Sequence, residues 1–145
     1  MSRAARFLLL LALTPAAASC GSGDDPPPTP QPPPAQPARG PVALSLEPSV
    51  AAPGETLRLT IRNRGDRPLE FGVAYRLERW DGRWRWLNRD AAFVLIAKMI
   101  GPGGRDQERI QLPDDLRPGL HRIVKSFLAP DTGRRLRAAA RFTVR

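Results

Sequence analysis

The sequence predicts an all-β protein: an antiparallel β-sandwich of about seven to nine short strands, preceded by a signal segment and a proline-rich linker. Three observations predict it. From Pro41 onward, apolar residues recur at every second position in short runs, the period of a half-buried strand. Turn pairs such as Pro53-Gly54, Asp81-Gly82 and Pro118-Gly119 separate those runs. Ahead of Pro41 the composition is that of an export leader and a tether, with no alternating pattern to build a core.

Residues 1–19 read as a signal peptide. Arg3 and Arg6 give the positive start, Phe7 to Leu13 the apolar run, and Ala16-Ala17-Ala18-Ser19 the small residues before the cleavage point. The apolar run is too short to span a bilayer. Cys20, the only cysteine of the 145 residues, follows directly. Ala17-Ala18-Ser19-Cys20 resembles the lipobox of bacterial lipoproteins, and the resemblance implies acylation of Cys20 as the new N-terminus. The expected address is then outside the cytoplasm, lipid-anchored to the cell membrane or the outer membrane. Each buried methylene of an acyl chain contributes about 0.8 kcal/mol, so two or three chains hold firmly where one does not. Cleavage near Ala18 by general signal peptidase, leaving a free thiol, is the alternative. Either way no cysteine pair exists for a disulfide.

Residues 20–40 form the linker. Nine of the 17 prolines fall between Pro26 and Pro41. Proline fixes φ and lacks an N–H, so this stretch builds neither helix nor ladder and favours extended polyproline II. At roughly 3.1 Å per residue it reaches on the order of 50 Å, which suits a semi-rigid spacer. A ligand for a proline-recognising domain is the alternative reading.

Residues 41–145 are the domain. Val42, Leu44 and Leu46 alternate with Ala43, Ser45 and Glu47; Leu57, Leu59 and Ile61 alternate with Arg58, Thr60 and Arg62; Leu69, Phe71 and Val73 follow the break at Asn63 to Asp66. Further runs lie at Tyr75–Trp80, Arg83–Leu87, Phe93–Ile100, Glu108–Leu112, Leu120–Leu128 and Ala138–Val144. Thr132–Ala140 is rich enough in Arg and Ala to permit a helix, but its end is assigned to the last strand. Asp81-Gly82 suits a two-residue type I′ hairpin. That register pairs Glu78 with Arg85 and Leu77 with Trp86. It puts Trp84 and Trp86 on the core-facing side with Tyr75 and Leu77.

These segments resemble the small bacterial immunoglobulin-like domains found in secreted and lipid-anchored proteins. The resemblance is carried by Leu57-Arg58-Leu59-Thr60-Ile61-Arg62-Asn63, Gly72-Val73-Ala74-Tyr75-Arg76-Leu77-Glu78, Asp81-Gly82-Arg83-Trp84 and Leu116 to Lys125. At the last site the family pattern is similar to Pro-Gly-x-Tyr-Arg-Ile, and His121 stands at the tyrosine. The resemblance implies an immunoglobulin-like sandwich in the cell envelope and implies no catalytic residues. A weaker likeness, through Asp81-Gly82 and Trp84-Arg85-Trp86, joins the chain to Bacillus-type proteinase inhibitor domains. It makes an inhibitor or accessory domain for a secreted protease the alternative function.

Enzymatic constellations are missing from the sequence: no paired-histidine zinc motif, no CxxC, no phosphate loop and no Gly-x-Ser-x-Gly elbow. His121 is the only histidine, and nothing nearby makes a nucleophile of Ser45, Ser49 or Ser126. Neither enzyme activity, metal nor cofactor is expected. Asp114-Asp115, and Asp106 with Glu108, have oxygens that suit Ca²⁺, but turn formation and loop solubility explain them equally. Arg64-Gly65-Asp66 reads as ordinary turn chemistry.

The remaining signal is charge. Residues 41–145 hold 20 Lys and Arg against 12 Asp and Glu, a net charge near +8. Such a surface attracts anionic lipid headgroups or acidic polymers, with screening by salt. Arg134, Arg135 and Arg137 are the candidate contacts with an anionic surface. The expected partners are the membrane, through lipidated Cys20, and an envelope protein or anionic polymer. Nucleic acid is not expected of an exported protein, although Trp and Arg interleave between Trp80 and Arg89.

Overall fold

The computed structural model describes residues 30–34 and 40–145. The signal segment, Cys20 and much of the linker lie outside the described residues. The described chain is all-β, in ten strands: β1 (Val42–Glu47), β2 (Val50–Ala51), β3 (Thr56–Asn63), β4 (Leu69–Gly72), β5 (Arg76–Trp80), β6 (Trp84–Trp86), β7 (Ala97–Ile100), β8 (Arg105–Gln111), β9 (Gly119–Ala129) and β10 (Arg134–Val144). No helix occurs among the described residues. Where Thr132–Ala140 permitted one, the alternation of Leu136, Ala138 and Ala140 prevails. β10 instead pairs with β9 along its whole length, Arg134 opposite Ala129 through Val144 opposite Gly119.

Two sheets face each other. The small one runs β1-β3-β8, all antiparallel. The large one runs β2-β10-β9-β4-β7, and β5 also pairs with β9, carrying β6 on its far edge. Their inner faces supply the core: Leu57, Leu59 and Ile61 of β3 and Ile110 of β8 against Phe71, Leu77, Ile123, Phe127 and Phe142. Each such side chain contributes about 1.5–3 kcal/mol on full burial.

β4 and β5 share one edge of β9. Phe71 lies opposite Phe127, and Leu77 lies opposite Ile123. Between them the chain leaves the ladder at Val73 to Tyr75, and Lys125 of β9 reaches into the gap, where its Nζ donates to Gly72 O at 2.8 Å.

The hairpin of β5 and β6 differs from the sequence expectation by one residue. Trp80 pairs with Trp84, Arg79 with Arg85 and Glu78 with Trp86. The loop therefore has three residues, Asp81-Gly82-Arg83, with Gly82 at a φ of 67°. A one-residue slip moves every side chain of the strand to the other face. Trp84 and Trp86 thus leave the core side and stand half-buried on the outer face of the large sheet. Leu77 stays inside, because its inward direction is set by Ile123 across the ladder and not by β6.

Candidate functional site

The outer face of the large sheet is built around the relocated indoles. The Arg76 guanidinium lies 4.0 Å from the Trp86 ring centre and that of Arg122 lies 4.1 Å from the Trp84 ring centre. Arg141 covers Trp84 at 5.5 Å and Arg89 covers Trp86 at 5.6 Å. Glu78 sits among them, its Oε2 accepting from Arg122 Nε at 2.6 Å. Asn88 fixes the arrangement: its Oδ1 accepts from Leu77 N and from Trp86 Nε1, both at 2.8 Å, and its Nδ2 donates to Tyr75 O at 3.0 Å. Each cation–π contact contributes about 0.5–1 kcal/mol at an exposed site. Arg76 Nη1 also lies 3.8 Å from Glu78 Oε1, so these arginines are already engaged, in stacking and in two ion pairs to Glu78.

Of the three arginines singled out from the sequence, two share this outer face. Arg135 and Arg137 lie two apart on β10 and line a groove with Glu70, Leu95, Ile96 and Ser126. Strand alternation turns Arg134 the other way. It lines a separate hollow with Asn63, Arg67, Ala129 and Leu136. The segment leading into β7 supplies the apolar rim of the groove, with Val94, Leu95 and Ile96 exposed.

The opposite face, the outside of the small sheet, holds an array that sequence reading missed. Arg58 of β3 stands directly across from Arg109 of β8, and Arg62 directly across from Arg105. All four are exposed. Between the two pairs Gln107 Nε2 donates to Thr60 Oγ1 at 3.3 Å. Only Arg58 meets a carboxylate among the described residues, that of Glu47 at 3.8 Å. Directly opposed like charges destabilise a sheet by several tenths of a kcal/mol each. Alternation placed Arg58 and Arg62 on the polar side of a strand, but the partner strand and its register were not legible in the sequence.

Inside the sandwich the carboxylates of β8 pair with the ammonium groups of β7 and β9. Asp106 and Glu108 face inward from β8, beside Ile61 and Leu59. They meet the chain's two lysines: Lys98 Nζ donates to Asp106 Oδ2 at 2.8 Å and Glu108 Oε1 at 3.3 Å, and Lys125 Nζ donates to Glu108 Oε2 at 2.6 Å. The pair considered for Ca²⁺ is thus bound by two ammonium groups. No group of three or more metal-ligating side chains occurs among the described residues. Inward charges on the edge strands β7 and β8 also discourage pairing with another chain. Burial pushes the Lys125 ammonium below its ordinary pKa against the pull of Glu108, whereas the hydrogen bond to Asp106 raises that of Lys98.

His121 is fully buried. Its Nδ1 lies 3.0 Å from Gly119 O, and its ring stacks on Phe142 with centres 5.4 Å apart. Burial, and to a lesser extent the nearby Arg79 charge, hold its pKa below the ordinary value despite the bond to Gly119. Its Nε2 has no hydrogen-bond partner among the described residues. Ser126, by contrast, points from the outer face, so no nucleophile–base pair forms there. The Arg64-Gly65-Asp66 loop is held by Asn63, whose Oδ1 accepts from Gly65 N at 3.0 Å and whose Nδ2 donates to Arg67 O at 2.7 Å.

The sequence profile of the bacterial Ig-like domain matches residues 41–143, nearly the whole described sandwich. The chain belongs to the bacterial Ig-like domain family. That membership accounts for the two facing sheets, antiparallel apart from the short parallel pairing of β2 with β10, and suggests a non-enzymatic module. No curated protein matches this Ig-like chain. Among solved structures, it is similar to three proteins of differing size. A Pseudomonas fluorescens alkylpurine DNA glycosylase, AlkC, solved bound to DNA containing an abasic site analogue, is 22% identical, with a TM-score of 0.43 over 74% of this chain and 31% of that one. A PapD-like domain of human CEP192 is 14% identical, with a TM-score of 0.42 over 77% of this chain and 89% of that one. The E. coli alpha-2-macroglobulin is 24% identical, with a TM-score of 0.44 over 72% of this chain and 7% of that one. The Ig-like domain therefore spans less than a third of the glycosylase and a small fraction of the macroglobulin.

Proposed function

We propose that this Ig-like domain is a non-enzymatic module of the cell envelope, anchored through lipidated Cys20, that binds an anionic polymer or an acidic protein surface. One observation carries the binding part: the two opposed arginine pairs, Arg58 with Arg109 and Arg62 with Arg105, on the outside of the small sheet. The like-charge pairing costs stability in the free protein. A phosphate- or carboxylate-bearing chain laid across the face relieves it, because each anion then sits between two guanidinium groups. Arg58 and Arg62 are four residues apart, so the two pairs are separated by about 13 Å along the strand. The spacing suits an extended polyanion better than a single small ion. Arg135 and Arg137, on the large sheet, are the second candidate contact.

The anchor is tested by detergent-phase partitioning of the wild type and Cys20→Ala; equal partitioning contradicts it. The binding is tested by pulldown from envelope fractions at low and high salt. A partner lost by Arg58→Ala/Arg109→Ala supports the reading. Retention of every partner by that variant at low salt removes it.

The protease-inhibitor reading is favoured by one feature, the exposed apolar segment Val94-Leu95-Ile96. On this reading the full chain inhibits a secreted protease, and Leu95→Asp abolishes inhibition. Undiminished inhibition by Leu95→Asp excludes that loop.

A further inference from the structure

The described part of the linker does not stand away from the domain. Residues 30–34, Pro-Gln-Pro-Pro-Pro, lie against the outer face of the large sheet at its tryptophan end. Trp80 Nε1 donates to Pro30 O at 3.4 Å, and Arg141 Nη1 donates to Pro33 O at 2.6 Å. The Pro30 ring also packs over the hairpin tip, where a side-chain carbon on Gly82 would come within 3.4 Å of its Cγ. Arg141 in turn lies over the Trp84 ring, whose centre is 5.3 Å from that of Trp80.

The spacing of the two acceptors is informative. Polyproline II has three residues per turn, so the carbonyls of residues i and i+3 project from the same edge of the helix. Pro30 and Pro33 stand in that relation, and each is read by one donor of the domain. Four prolines in five residues fix φ along the segment, so little conformational entropy is lost on docking. An aromatic-lined surface with a few donors aimed at backbone carbonyls is the general means by which polyproline II segments are recognised.

We infer that Trp80, Trp84 and Arg141 form a recognition site for polyproline II segments, occupied in cis by this chain's own residues 30–34. The inference is independent of which anionic partner the small sheet takes. Cis occupancy is favoured by chain length: only five residues separate Pro34 from Gly40, which directly precedes the domain. So short a connection gives an effective concentration in the millimolar range or above, and a weak site is filled. Docking also changes the reach of the tether. The domain then hangs from Pro30, ten residues beyond Cys20 and on the order of 30 Å of extended chain, and the spacer is shortened rather than fully extended.

The test uses the full chain in detergent micelles, with Cys20→Ser and Gln31→Cys, so that residue 31 carries the one thiol and a nitroxide label. In nitrogen-15 spectra the Trp84 indole and the Arg141 amide should lose most of their intensity. The amides of Arg58 and Arg109, on the opposite face, should keep theirs. Trp80→Phe/Arg141→Leu should restore the Trp84 signal, with the rest of the spectrum superimposable. Trp80→Phe alone is the milder variant, and it should restore the signal in part. A mixed sample of isotope-labelled chain without nitroxide and nitroxide-bearing chain without isotope should show no broadening. Broadening confined to the mixed sample would place the segment on a second copy and overturn the cis assignment. Intact Trp84 intensity in the singly labelled chain, or broadening that survives the double variant, would overturn the site itself.

Discussion

The two outer faces of the sandwich each carry several arginines, and their surroundings differ in kind. On the large sheet Arg76, Arg122 and Arg141 stack on Trp86 and Trp84, Arg122 is paired with Glu78, and Arg141 reaches Pro33. On the small sheet Arg62, Arg105 and Arg109 meet no carboxylate of the described chain, and two arginine pairs face each other across the ladder. A net charge near +8 does not distinguish these faces. What distinguishes them is that the guanidinium groups around Trp84 and Trp86 already have partners, whereas those of the opposed pairs, Arg58 apart, have none among the described residues. An engaged arginine holds the fold together, and an unengaged pair of them is poised for an anion from outside.

The largest effect is expected where charge is most fully engaged, inside the sandwich. Glu108→Ala leaves the buried Lys125 ammonium without its carboxylate, and urea denaturation should show a loss of about 3–5 kcal/mol. Glu108→Leu with Lys125→Met should recover most of it, since two well-packed apolar groups replace the pair.

On the large-sheet face, Glu78→Ala should cost about 2–3 kcal/mol, because it strips the charge-assisted partner from Arg122. A loss under about 0.5 kcal/mol would mean that this face is no more engaged than the other.

His121 tests the ground beneath that face by pH. Its folded pKa lies below the unfolded value of 6.5, so the unfolded chain binds a proton that the folded one refuses. Stability is then fully present above pH 6.5 and declines as pH falls toward the folded pKa, by at most about 1.4 kcal/mol per pH unit. His121→Phe should remove that part of the slope between pH 7.5 and 5.5. An unchanged slope would show that His121 is protonated in the folded protein.

The smallest effect should have the opposite sign. Arg109→Gln relieves a like-charge pair, so thermal denaturation at low salt should show a gain of about 0.2–1 kcal/mol that vanishes in high salt. Destabilisation would mean that Arg109 is engaged after all.

Most strands were legible because alternation is local: Leu57, Leu59 and Ile61 name their inner face without help from the rest of the chain. What failed was non-local. The Asp81-Gly82 turn was read as two residues, and the slip of one sent Trp84 and Trp86 to the opposite face. Stacking on Arg76 and Arg122, from other segments, accompanies the observed register. Phe93 to Ile96 has strand composition yet no ladder, because β4 pairs only with Ala97–Ile100. β2 is two residues long, too short to show a period. The arginine array was missed for the same reason. Arg58 and Arg109 are distant in sequence, and only the β3–β8 register makes them neighbours. The run Arg134-Arg135-Leu136-Arg137 stood out in the sequence, but alternation divides it between two faces.

The most direct test of the small-sheet assignment is the affinity of the full chain for long-chain polyphosphate at low salt. The wild type is compared with Arg58→Ala/Arg109→Ala and with Arg135→Ala/Arg137→Ala, which remove equal charge from opposite sheets. At about 1 kcal/mol per arginine beside an anionic surface, the small-sheet variant should bind roughly ten- to thirtyfold more weakly, and the large-sheet variant should change little. Equal weakening in both would reduce the effect to net charge. Weakening in the Arg135→Ala/Arg137→Ala variant alone would move the site to the other sheet and contradict the assignment.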